Sequence, residues 1–151
     1  MLKRVNKEMM DWSNNHPNWA TLDRFDHDTL TLEFTIMGPP DTPYSGGVFK
    51  VHAKLPIDYP FKRPSMSIQT PIYHPNISSS ICCCLIPELE GWSPMYTVAR
   101  CIGQLYQILI EPVIDHPCEI DISTQFKENR ELFDLVAAEH TKQNAMPHLA
   151  A

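Results

Sequence analysis

In Thr29-Leu30-Thr31-Leu32-Glu33-Phe34-Thr35-Ile36 the apolar residues fall at 30, 32, 34 and 36; in Val48-Phe49-Lys50-Val51-His52-Ala53-Lys54-Leu55 they recur at 49, 51, 53 and 55. Side chains of a strand point alternately to opposite faces, so each stretch reads as a strand with one buried face. The residues between them, Gly38-Pro39-Pro40-Asp41-Thr42-Pro43-Tyr44-Ser45-Gly46-Gly47, are dense in turn formers and predict a loop joining adjacent antiparallel strands. Met66 and Ile68 begin a shorter run of the same kind, and Ala20 to His27 is a fourth candidate strand ahead of the pair.

Outside this centre the period changes. Leu2, Val5, Met9 and Trp12 recur at helical spacing, with Lys3, Arg4, Lys7 and Glu8 off the apolar line, which predicts an N-terminal helix. From Thr97 onward Val98, Ile102, Leu105 and Leu109 mark a buried helix that Pro112 ends, and a last helix is expected over Glu131 to Thr141, with Leu132, Leu135 and Val136 as its apolar face and Glu139 on the charged one. Ten of the 14 prolines lie between Met37 and Pro94, which excludes helix from most of the middle. Helix, antiparallel meander, Pro-rich stretch and helices make an α+β plan. There is no repeat or linker, and the expected organisation is one domain over 1–146 with a short tail at 147–151.

A chain of 151 residues, 43% apolar, has the size of one domain. Its formal charge of −6 disfavours a nucleic-acid partner, since phosphate binding needs a broad excess of Lys and Arg. No apolar run approaches the ~18 residues of a spanning helix, and the charged first dozen residues do not form a signal sequence, so neither membrane nor secretion is expected. Five cysteines, three of them consecutive at Cys82, Cys83 and Cys84, do not make a disulfide framework and fit a reducing compartment. Consecutive cysteines rarely face one tetrahedral ion, and no C-x-x-C or H-x-x-x-H spacing supplies further ligands, so no metal is expected.

The chemistry concentrates in Tyr73-His74-Pro75-Asn76-Ile77 and the Cys82-Cys83-Cys84-Leu85 run that follows. A thiol in a segment too Pro-broken for helix, near an amide side chain able to steady an oxyanion, is what acyl transfer through a thioester requires. The same residue types also suit a buried loop in which Asn76 bonds backbone groups and the cysteines pack as small apolar residues. Cys101, inside the Thr97 helix, reads as core.

Taken as ordered blocks, Met37-Gly38-Pro39, Tyr44-Ser45-Gly46-Gly47-Val48-Phe49, Asp58-Tyr59-Pro60-Phe61-Lys62, Tyr73-His74-Pro75-Asn76-Ile77 and Trp92-Ser93-Pro94 resemble the ubiquitin-conjugating enzymes from Met1 to about Met146. The resemblance implies that family's fold: an N-terminal helix, a four-stranded antiparallel meander and C-terminal helices. It implies a protein that takes ubiquitin from the activating enzyme as a cysteine thioester and hands it on. Relatives place the cysteine ten residues after the His and eight before the Trp, and both spacings select Cys84. Cys82 is the alternative, since Ile81-Cys82 copies the family's apolar-Cys pair but needs a deletion and a compensating insertion. Asn76 would then serve the oxyanion or hold the loop that shapes the site, beside Pro75, and His74 would clasp the loop by hydrogen bonds, with a base role as the other possibility.

The sequence departs from lysine-directed relatives near the cysteine. Ile86 and His116 stand where those relatives carry acidic residues, and Val113 stands where they carry asparagine, in Val113-Ile114-Asp115-His116-Pro117. Similar substitutions occur in relatives that discharge to ligase cysteines, of the HECT and RING-between-RING types; Asp115 or Glu88 as a compensating carboxylate is the alternative. By the resemblance Lys3, Arg4 and Lys7 would meet the activating enzyme. Phe61 and Pro94 would meet a ligase, with Met95 too bulky for ordinary RING docking. The resemblance implies a monomer without cofactor, acting in the cytoplasm and additionally the nucleus. A catalytically weak adaptor and an enzyme for a ubiquitin-like modifier are the competing readings.

Overall fold

The computed structural model of the chain describes residues 2–77, 91–114 and 117–146. Among them the order is α1 (Leu2–Asn15), β1 (Ala20–Asp26), β2 (Thr31–Met37), β3 (Val48–Lys54), β4 (Ser65–Ile68), α2 (Val98–Ile110), α3 (Ile120–Glu128) and α4 (Arg130–Asn144). The four strands form one antiparallel sheet in chain order, β1-β2-β3-β4. Leu32 pairs with Ala53, Phe34 with Val51 and Ile36 with Phe49, so the alternating apolar residues of β2 and β3 coincide on one buried face. That face shares a core with Val5 and Trp12 of α1 and with Val98, Cys101, Ile102, Leu105, Ile108 and Leu109 of α2. Trp12 meets Phe34 edge-on, with ring centroids 5.1 Å apart, and so joins α1 to the sheet.

The strand expected from Thr29 begins at Thr31. Leu30 sits at φ +55°, in a turn where the Asp26 carboxylate accepts the backbone N–H groups of Asp28 and Thr29 at 2.9 and 3.2 Å. These N–H bonds hold the Asp26 carboxyl below its usual pKa. Leu30 still packs against the core, and its carbonyl accepts the Leu55 N–H at 2.9 Å, so its apolar character is used outside the strand.

The loop from 38 to 47 folds tightly back on itself. The Gly38 N–H donates to the Gly47 carbonyl at 2.8 Å, and a Cβ on Gly38 would lie 1.7 Å from the Tyr44 carbonyl oxygen, so only glycine fits. Gly46 takes φ +83° in the same loop. The closure buries Tyr44, whose hydroxyl donates to the Tyr73 carbonyl at 2.6 Å and brings the loop to the turn at 73–77.

One helical expectation is corrected and one further helix is added. The last helix exists, but its buried residues are Phe133, Ala137 and Thr141, while Leu132 and Leu135 are exposed, the latter by 70%. Asn129 caps it by accepting the Leu132 N–H, and the neighbours that decide its orientation are distant in sequence, as in the Phe126–Phe133 ring contact at 5.0 Å. The helix α3 was not expected at all. It lacks a side-chain cap, buries only Ser123 fully, exposes Ile120 and sets only Ile122 and Phe126, one turn apart, against the core, a stripe too short to announce a helix. By contrast α2 starts where its sequence indicates, with Thr97 accepting the Arg100 N–H.

Candidate active site

The turn at 73–77 is closed by a bridge between His74 and Ile77, and its polar groups are directed into the protein. The His74 ring is fully buried. Its Nδ1 accepts the Asn76 backbone N–H at 2.9 Å, which places the ring proton on Nε2, and Nε2 donates to the Ile108 carbonyl at 2.7 Å. Ile108 lies in the last turn of α2, where helix carbonyls lack intrahelical donors, so His74 completes that helix end. Burial pushes the imidazole pKa down to about 4, only partly offset by the bond to Ile108, so the ring is neutral near pH 7 and holds the loop.

Asn76 is as buried, at 1% exposure. Its Oδ1 accepts the Val113 N–H at 2.8 Å and its Nδ2 donates to the Val113 carbonyl at 2.6 Å, so one amide side chain pairs with both backbone groups of one residue. Pro75 adds a third tie, its carbonyl accepting the N–H groups of Cys118 and Glu119 at 2.8 and 3.0 Å. Tyr73 donates through its hydroxyl to Gln125 Oε1 of α3 at 2.6 Å. Four successive residues, Tyr73 to Asn76, therefore fasten the chain from the end of α2 into α3. Through the Asn76 amide this segment is held to the turn.

Cys84, Ile86 and Glu88 fall between Ile77 and Gly91, and Asp115 and His116 between Ile114 and Pro117; all five lie outside the described residues, as does the choice between Cys82 and Cys84. Cys101 is buried in α2, and burial pushes its thiol up to about 12, so it stays a protonated core residue. Cys118 is exposed.

The expected partner-binding residues separate into two regions. On α1, Lys3 and Lys7 are exposed, whereas Arg4 is half-buried and bonded internally: Nε to Glu8 Oε2 at 3.2 Å, Nη2 to the Tyr96 carbonyl at 2.7 Å. Phe61 is 74% and Met95 84% exposed, and Pro94 is exposed beside it. Their two loops are tied together by the Trp92 indole N–H, which donates to the Pro60 carbonyl at 2.7 Å across a cis Tyr59-Pro60 junction.

Glu8 is the residue that sequence reasoning missed. Read as one charge on a solvated helix face, it accepts the Tyr59 hydroxyl at 2.7 Å through Oε2 and the Val98 N–H at 2.9 Å through Oε1. Burial and this bond raise the Tyr59 pKa well above that of an exposed tyrosine. A carboxylate from α1 thus sits at the start of α2, where the helix dipole favours negative charge. The only local hint is the i, i+4 spacing of Arg4 and Glu8; its partners 51 and 90 residues away leave no local signal.

Residues 4–141 match the family described as ubiquitin-conjugating enzyme. Among solved structures, the chain is similar to the crystal structure of a Plasmodium yoelii protein assigned as a ubiquitin conjugating enzyme. The two are 32% identical over 97% of this chain and 96% of that one, with a TM-score of 0.86.

Proposed function

This chain belongs to the ubiquitin-conjugating enzyme family, and from that premise we propose that it carries ubiquitin as a thioester on Cys84 and passes it preferentially to a ligase cysteine of the HECT or RING-between-RING type. In the charging step the Cys84 sulfur attacks the activated C-terminal carbonyl of ubiquitin held on the activating enzyme's cysteine; a new C–S bond forms, the old one breaks, and that thiol leaves with the proton. Discharge repeats the exchange with the ligase thiol as nucleophile. The His74-Pro75-Asn76 turn supports the reading as a frame: His74 fastens the last turn of α2, and Asn76 and Pro75 the segment between α2 and α3.

The observation that carries the acceptor preference is the identity of three residues. Ile86, Val113 and His116 replace the carboxylates and the amide that would orient and deprotonate an incoming amine. A lysine ammonium at ~10.4 is about three pH units from deprotonation at neutral pH, a deficit of ~4 kcal/mol that the site must offset, whereas a thiol near ~8.5 asks for far less. Exposed Lys3 and Lys7 suit an acidic surface of the activating enzyme, and exposed Phe61 and Met95 suit an apolar ligase surface.

The test is charging with activating enzyme, ATP and ubiquitin, followed on non-reducing gels. Wild type, Cys82→Ser and Cys83→Ser are expected to form a reductant-labile adduct, and Cys84→Ser a reductant-stable ester or none. Loss of the adduct in Cys82→Ser alone would move the nucleophile by two residues. Single-turnover discharge is expected to be fast to free cysteine and slow to free lysine; equal rates at matched pH and concentration would overturn the acceptor preference. Ile86→Asp with His116→Asp should raise the lysine rate and leave the cysteine rate nearly unchanged.

A further inference from the structure

A groove of about 570 Å³ runs between α1 and α2. None of the described residues lining it belongs to the 73–77 turn, and Lys3, Lys7, Phe61, Pro94 and Met95 do not line it either. We propose that this groove binds a small aromatic ligand bearing a protonated amine, with the ring on an aromatic floor and the ammonium at Asp11. The volume lies within the ~300–1,000 Å³ of small-molecule sites.

The floor is rigid and aromatic. Trp12, 6% exposed, is held edge-on by Phe34 at 5.1 Å and stacked by His16 at 5.7 Å, so it closes the base of the groove, while the half-buried Trp19 stacks on Tyr106 with centroids 3.9 Å apart and planes 9° from parallel. Rings fixed by packing offer a face without an ordering cost on binding. The α2 wall is low, because Ala99 and Gly103 line it. A glycine inside a helix costs ~1 kcal/mol relative to alanine. At Gly103 a Cβ would meet nothing within 4 Å, so no neighbour requires its absence, and the space it leaves opens into the groove.

Charge selects the ligand's sign. The charged residues lining the groove among those described are Glu8 and Asp11, with no Lys, Arg or His. The Glu8 carboxylate is occupied by Arg4, Tyr59 and the Val98 N–H, whereas Asp11 is exposed and makes no hydrogen bond or ion pair among the described residues. An ammonium at the rim gains the Asp11 carboxylate while the attached ring lies against the half-buried Trp19, and a carboxylate-bearing ligand would be repelled.

Tryptamine and its uncharged analogue 3-ethylindole, titrated into the full chain, test this by ¹H–¹⁵N NMR at the Trp12 and Trp19 indole N–H and the Gly103 amide. Tryptamine is expected to shift all three saturably, with affinity at least threefold above 3-ethylindole, and Asp11→Asn to erase that difference. Gly103→Leu, which places a side chain in the open space, should weaken tryptamine at least tenfold, and Ala99→Leu provides a second filling variant should the first unfold. Absence of saturable shifts, equal affinity for both compounds in wild type, or binding unchanged by a folded filling variant would each overturn the proposal.

Discussion

At His74 the neighbours assign both ring nitrogens: Nδ1 accepts from Asn76 and Nε2 donates to Ile108, an arrangement only the neutral ring satisfies. The consequence is a pH dependence with a definite sign. The folded pKa near 4 lies below the ~6.5 of an unfolded histidine, so between these values the unfolded chain takes up a proton that the folded chain refuses. Stability from this residue is complete above ~6.5 and declines as pH falls toward 4, by up to ~3 kcal/mol. Urea unfolding at pH 7, 6 and 5 is expected to show this loss in wild type and to lack it in His74→Asn; identical pH dependence in both would contradict the clasp. The turn was legible at this scale because its residue types are contiguous. Its bonds to Ile108 and Val113 were not, since they join residues 34 and 37 positions apart.

Among the elements, α1 and α4 show opposite failures of sequence reading. The apolar line of α1 correctly includes the buried Val5 and Trp12, yet its polar side hides Glu8, which ties the helix to Tyr59 and to the start of α2. Glu8→Ala should destabilise the fold by ~2–4 kcal/mol, because it strands the hydroxyl of the buried Tyr59 and a helix-terminal N–H. Glu8→Gln, which keeps an acceptor, should cost less, and amide exchange at Val98 separates the two. In α4 the leucines suggested one face and packing chose another. Leu135→Glu is expected to change stability by less than ~0.5 kcal/mol, whereas Phe133→Ala should cost ~3–5 kcal/mol. Comparable costs in thermal unfolding would return α4 to the orientation its leucines imply.

Over the whole molecule, distant segments close the sheet and the site together. The Val48 N–H at the start of β3 donates to the Ala145 carbonyl beyond α4, and Gly47 packs where a Cβ would lie 2.7 Å from the Thr141 side chain. A chain ending at Asn129 therefore loses the cover of the hairpin loop as well as a helix, and is expected to lack the cooperative unfolding transition of the full chain. A two-state melt of that truncation at the wild-type temperature would show α4 to be dispensable. Features set by local physics could be read from the residues alone. Alternation placed β2, β3 and β4, helical spacing placed α1 and α2, and the ordered motif blocks identified the family. Long-range packing settled which face of α4 is buried, that α3 forms on a stripe of only two apolar residues, Ile122 and Phe126, that Glu8 caps a helix from another helix, that His74 completes the end of α2 and that Asn76 pairs with Val113 beyond it. These outcomes rest on contacts between residues far apart in the chain, and local periodicity carries no record of which distant group will occupy a hydrogen bond or cover an apolar face.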